Sequence, residues 1–160
     1  MKQYKNQTLR DYLEALARRE PVPGGGSAAA YAGALGAGLI VMVARYSKGK
    51  GANRSVEQRI EATIKRAEAI KNKLLDLVDL DAVAYWQVTK TKNAPRKVRI
   101  KALKQSREVP LQVCRLCYRA IELTPFLVEE GNKYLVADVA VACELLLSSF
   151  NGALTLAQYN

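Results

Sequence analysis

The chain has 160 residues, 25 basic against 15 acidic, for a net charge of +10, and it contains no histidine. That length is one domain with room for a real core, so residues 1–160 are read as a single domain. Without histidine, Ser-His-Asp and Cys-His nucleophile systems are excluded, and acid–base chemistry falls to Asp, Glu, Lys, Tyr or Cys.

Met1 to Arg19 is polar and amphipathic, unlike a signal peptide. Within it, Thr8 to about Arg19 reads as a short helix, with Thr8 as cap and Leu9, Tyr12, Leu13 and Leu16 as the apolar face. Pro21-Val-Pro-Gly-Gly-Gly-Ser follows. The prolines hold the approach extended, Gly24, Gly25 and Gly26 permit angles and close approaches that a Cβ forbids, and Ser27 is placed to cap a helix. Ala28 to Ala44 carries no charge. Ala29, Gly33 and Ala37 form one small-residue stripe and Ala30, Ala34 and Gly38 another, so neighbouring helices can approach on two sides. The stretch is too rich in Gly and Ala to read as a membrane span.

Beyond a basic, glycine-rich turn from Ser47 to Asn53, Ser55 and Gln58 predict a capping box. A long helix then runs to about Lys92, with Ile60, Ile64, Ala67, Ile70, Leu74 and Val78 along one side. Asn93-Ala-Pro95 breaks it. The next segment runs from about Arg96 to Glu130, with Pro110 and Pro125 expected to kink or divide it, and Gly131 and Asn132 stop it. Lys133 to Asn160 is a last apolar helix that ends without a cap or polar tail, as though more should follow. No stretch has the two-residue period of a strand. The fold predicted is all-α, a bundle of four to five helices, two of them long. A central helix apolar all round needs neighbours on every side, which predicts a dimer.

Three cysteines, an odd number, argue against a disulfide framework and for a reducing cytoplasm. Cys114 and Cys117 form a lone CxxC with no second pair and no histidine to complete four ligands, so no metal is expected. Between Asp81 and Glu108 every charge is basic, from Lys90 and Lys92 to Lys104 and Arg107. That run suits a polyanion. It has almost no aromatics and no nucleic-acid module signature, so nucleic-acid binding rests on charge alone.

Two acids break the apolar pattern. Leu74, Val78, Asp81, Tyr85 and Val88 step along one face of the third long stretch, which puts Asp81 on the buried stripe. Asp138 is the lone charge amid Leu135, Val136, Val139 and Val141. An ionised carboxylate buried without a partner costs several kcal/mol, so each acid is paired, protonated or faces a polar cavity. Two such acids and a glycine loop at a helix start point to a site between helices.

Pro23-Gly-Gly-Gly-Ser-Ala-Ala-Ala, followed by Ala32-Gly-Ala-Leu-Gly-Ala, resembles the opening motif of the cyclodeaminase/cyclohydrolase family. That family includes the cyclodeaminase part of formiminotransferase-cyclodeaminase and stand-alone methenyltetrahydrofolate cyclohydrolases. Leu77-Val-Asp-Leu-Asp-Ala-Val-Ala-Tyr85, Glu108-Val-Pro110, Gly131-Asn132 and Ala137-Asp-Val-Ala-Val-Ala continue the likeness in the family's order. It implies a helical dimer acting on tetrahydrofolate one-carbon derivatives, with no permanently bound cofactor. The implied substrate is a folate, with a glutamate or polyglutamate tail for the basic segment. Asp81 is the residue implied to stabilise the amidinium cation and orient water. Asp138 would bind pterin nitrogens or share the proton transfers. Gly24, Gly25, Gly26, Ser27, Tyr85, Lys48 and Lys92 complete the implied substrate-binding set. The chain departs from the pattern at Ala137, where the family has Ser, and at Leu156-Ala157, where it has an Asn-Val pair. The family also continues past residue 160. These departures motivate a second reading, a paralogue that binds folate without turning it over.

Overall fold

The computed structural model describes residues 3–49 and 53–159, and among these every regular element is helical. A 3-10 turn at Tyr4–Asn6 precedes α1 (Leu9–Leu16), α2 (Gly25–Ser47), α3 (Arg54–Lys90) and α4 (Arg96–Ile121). Then come α5 (Thr124–Glu130), a second 3-10 turn at Lys133–Leu135, and α6 (Val136–Tyr159). The four long helices make the bundle. The segment expected from Arg96 to Glu130 is divided near Pro125, whose ring suits the first turn of a new helix. α4 runs through Pro110 without a break.

α2 is the axis of the molecule and touches α3, α4, α5 and α6. Ala30, Ala37, Ile40, Val43 and Ala44 have no solvent exposure. Small residues let α6 close on it. A Cβ on Gly36 would stand 2.8 Å from Leu146 Cγ and 2.9 Å from the Ala142 carbonyl oxygen, and one on Gly33 2.7 Å from Ser149 Oγ. Gly38, expected in a contact stripe, has nothing within 4 Å of its Cβ position; Gly36 makes the close approach instead. The α2–α6 seam is antiparallel, since Gly25 lies by Leu156, Gly33 by Ser149 and Gly36 by Ala142. One polar link crosses it: the Ser149 hydroxyl donates to the Ala29 carbonyl at 2.6 Å and lies 3.1 Å from Cys117 Sγ.

Two caps differ from expectation. Asn53, not Ser55, caps α3, its side chain accepting from the Val56 amide at 3.0 Å. α2 starts at Gly25 with Gly24 as the capping residue, so Ser27 lies inside the first turn. Thr8 caps α1 through the Asp11 amide, and α5 ends at Glu130 with Gly131 next, as the sequence predicts. Residues 50–52 of the basic turn and Asn160 lie outside the described residues. Both α2 and the Lys133–Tyr159 stretch are long and apolar enough to cross a membrane, but α2 is here the core of the bundle.

One face of α2 stays open. Leu35 and Tyr46 are exposed, and Ala28, Ala32, Leu39 and Met42 are half-covered; Val141 of α6 is also exposed.

Candidate active site

Asp81 stands where α3 crosses the first turn of α2. Its Oδ2 accepts the Ser27 backbone N–H at 3.0 Å. The other oxygen lies against Gly26, where a built Cβ would overlap the carboxylate, with Cγ only 2.5 Å away. Glycine is required at 26 by this approach and not by backbone angle: among the described residues only Gly49 has positive φ. Gly25 is less constrained, since a Cβ there would meet Leu156 Cδ1 at an ordinary 3.8 Å. The amides of Gly25 and Gly26 have no protein acceptor among the described residues. They are unpaired donors at the positive end of a long helix.

These groups line one cleft of about 340 Å³. Pro21, Val22 and Gly24 to Gly26 form one wall, Asp81, Ala84, Tyr85 and Val88 of α3 another. Leu103, Ser106 and Pro110 of α4 and Leu156 of α6 close it. Burial pushes the Asp81 carboxyl above its ordinary value, against the Ser27 amide that holds it down. No Lys or Arg lines the cleft among the described residues, so Asp81 carries its charge there without a cationic partner. A cleft with one partly desolvated carboxylate, a polar helix start and apolar walls suits a flat, cationic, partly apolar ligand. A larger groove of about 480 Å³ runs outside α3 and α4, past Lys73, Asp76, Arg115 and Arg119, and holds none of the residues expected at the site.

The other expected residues divide. Tyr85 lines the cleft, partly exposed and edge-on to Trp86. Ser27 adjoins it through its amide alone; its hydroxyl turns away to Tyr12 at 3.0 Å. Lys92 is exposed in the turn after α3. Asp138 and Lys48 do not join this group. The antiparallel seam puts Asp138 at the opposite end of the bundle, about 27 Å along α6 from Leu156 at 1.5 Å per residue. It is half-exposed there and not buried. Lys48 is at that same far end, donating to Glu61 at 2.8 Å. Within one chain the two acids therefore serve no common centre.

Residues 8–160 match the family model for formiminotransferase-cyclodeaminase. The chain belongs to that family. It is 34% identical over 157 residues to the methenyltetrahydrofolate cyclohydrolase of Methylorubrum extorquens, covering 92% of this chain and 74% of that one. Its likeness to the formimidoyltransferase-cyclodeaminase of Rattus norvegicus is 28% over 156 residues; it covers 91% of this chain but 29% of that longer protein. In structure it matches the formiminotetrahydrofolate cyclodeaminase of Thermotoga maritima with a TM-score of 0.93 and 28% identity, over 97% of this chain and 78% of that one. The all-helical bundle is thus shared with a solved structure of a formiminotetrahydrofolate cyclodeaminase.

Sequence reasoning passed over Leu103 and Ser106 of the cleft wall and Tyr12 behind it. Leu103 and Ser106 lie in the basic stretch, where charge masks them. Tyr12 was assigned to an apolar face. A hydroxyl on a face otherwise made of leucine was the signal that it has a buried partner.

Proposed function

We propose that this member of the family is a folate one-carbon enzyme that hydrolyses 5,10-methenyltetrahydrofolate to 10-formyltetrahydrofolate, or closes 5-formiminotetrahydrofolate to the methenyl form with loss of ammonia. What carries the reading is Asp81, a carboxylate with no cationic partner, set against a glycine-rich helix start in a cleft wide enough for a pterin. The cationic amidinium of the methenyl group supplies the missing positive charge. Asp81 accepts a proton from water as the water oxygen bonds to the amidinium carbon. It returns that proton to N5 as the C–N5 bond breaks, while the adduct's remaining hydroxyl proton is released to solvent, which leaves the formyl group on N10. The free amides of Gly25 and Gly26 face the pterin carbonyl, and Tyr85 covers its ring. The tetrahydrofolate derivative is substrate and no resident cofactor enters the scheme. The exposed cations from Lys92 to Arg107 border the cleft along α4 and suit the carboxylates of a glutamate tail.

The working unit in this reading is a homodimer built on the open α2–α6 face. Its exposed Leu35, Tyr46 and Val141 give an apolar surface that a second copy covers. A two-fold axis lying in the plane of that face and perpendicular to α2 sets the partner's helices antiparallel. The Asp138 end of one subunit then lies alongside the Gly25–Leu156 end of the other, so each cleft is completed by the acid that the single chain holds far away.

Loss of methenyl absorbance with purified protein, above the buffer rate, tests the hydrolysis; ammonia release from the formimino substrate tests the closure. Neither reaction from folded, dimeric protein would assign the chain to folate binding without turnover. Leu156 against Gly25 and Ala137 beside Asp138 are the substitutions that favour that outcome.

A further inference from the structure

We propose that Tyr12 of α1 is a positioning residue for Asp81, acting through Ser27; this rests on the reading of Asp81 as the reacting carboxylate. The face expected to be apolar divides: Leu9 is 64% and Leu13 60% exposed, Leu16 packs against the core, and Tyr12 is buried at 5%. A phenol inside a protein needs a partner for its hydroxyl. That partner is Ser27 Oγ at 3.0 Å, on a side chain with no solvent exposure at all.

Serine and threonine inside a helix commonly bond back to the carbonyl four residues earlier. Ser47 does so to Val43 and Thr63 to Arg59 in this chain. Ser27 instead bonds out of its helix, to a residue of α1, while its own amide donates to Asp81 Oδ2. One residue thus joins the α1 phenol and the α3 carboxylate, which are otherwise on separate elements. The Tyr12 ring is itself held by Tyr31, tilted at 5.2 Å between centroids. α1 is therefore more than a cover for the bundle; it fixes the first turn of α2 at the residue that grips Asp81.

The surroundings make that grip count. Facing Asp81 are Tyr12 from α1, Gly25 and Gly26 from α2, Tyr85 from its own helix, Leu103, Ser106 and Pro110 from α4, and Leu156 from α6. None is a cation. Among the described residues the Ser27 amide makes the one hydrogen bond to the carboxylate, and burial works against its charge. A Ser27 backbone that drifts lets the Asp81 carboxyl rise further above its ordinary value.

The experiment is a carbon-13 NMR titration of the Asp81 carboxyl in unliganded wild type, Tyr12→Phe, Ser27→Ala and the double variant. Tyr12→Phe keeps the ring and its packing on Tyr31 and removes only the hydroxyl. The expected result is an Asp81 midpoint at higher pH in either single variant, with no further shift in the double variant, because both cut one link. An unchanged midpoint in folded Tyr12→Phe, or shifts that add in the double variant, overturns the proposal. Should Tyr12→Phe fail to fold, Ser27→Ala reads the same link from its other side. A purely structural Tyr12 would lower the melting temperature and leave the midpoint in place. In turnover, kcat of Tyr12→Phe falls about tenfold, the equivalent of one weakened charge-assisted hydrogen bond, KM stays near the wild-type value, and the acid limb moves to higher pH. The titration needs no substrate, so a wild type that turns over neither the methenyl nor the formimino substrate would refute the reading of Asp81 as the reacting carboxylate and leave the Tyr12 link to be judged by NMR.

Discussion

Gly26→Ala separates the site from the fold with one methyl group. In an exposed helix that change is stabilising, by up to about 1 kcal/mol. At position 26 the methyl lands on the Asp81 carboxylate, 2.5 Å from Cγ and 2.9 Å from Oδ2. The backbone of α2 is held by α3 and α6, so the carboxylate is the group that gives. Its displacement breaks the bond from the Ser27 amide, a charge-assisted contact of about 1.5–3 kcal/mol. If that contact is held through the transition state, turnover falls about 10- to 150-fold. The helix gain offsets part of the lost contact, so net stability changes by no more than about 2 kcal/mol, a shift of a few degrees in melting temperature for a domain of this size. Gly38→Ala is the matched control, since no atom lies within 4 Å of its Cβ position. It should gain stability, because nothing in the same chain opposes the methyl. Methenyl hydrolysis and thermal unfolding on the same samples provide both readings. Gly26→Ala with wild-type kcat/KM would refute the placement of Asp81 against the helix start.

Asp81→Asn should raise the melting temperature at neutral pH. The folded-state carboxyl sits above its unfolded value of 3.8, so the native state holds its proton more tightly and stability is lost as pH rises through the folded value. The asparagine variant escapes that loss, and its advantage should vanish once the pH falls below the unfolded value; a constant difference across pH would contradict it. Gly36→Ala should cost about 1–3 kcal/mol by forcing α6 away at Leu146 and the Ala142 carbonyl, read by denaturant unfolding, and a neutral result would show that seam to be loose. For the shared dimer site, mixing inactive Asp81→Asn and Asp138→Asn proteins under subunit exchange should restore up to about a quarter of wild-type turnover, since half the dimers are then mixed and each carries one intact site. No recovery between two exchanging, inactive variants would confine the chemistry to single subunits.

Much of this was legible beforehand. Asp81 could be placed because its apolar neighbours recur at helical spacing, so an acid in register with Leu74 and Val78 has to face inward. Helix ends followed from Asn93-Ala-Pro95 and Gly131-Asn132, where backbone chemistry is local. The direction in which helices meet was not local. Asp138 shares the apolar pattern of Asp81, yet the antiparallel α2–α6 seam sends it to the other end, and no periodicity within α6 encodes that. Lys48 is parted from Asp81 for the same reason, as it follows α2 out to the end opposite the chain's own cleft. The three glycines looked equivalent in sequence; only the crossing of α3 distinguishes Gly26, which a Cβ would block, from Gly25, which one would not. Ser27 resembled a cap because the helix start was set three residues late. Its real partners lie 15 residues before it and 54 after it.

The most direct measurement of the central claim is the rate of 5,10-methenyltetrahydrofolate hydrolysis by wild type and by folded Asp81→Asn, followed from acid to neutral pH with the buffer rate subtracted. Wild-type activity should fall away as the pH drops through an Asp81 midpoint above the ordinary aspartate value. Asp81→Asn should be slower by about 100-fold or more and show no such limb. An asparagine variant with the wild-type rate and the same acid limb would mean that another group does the chemistry.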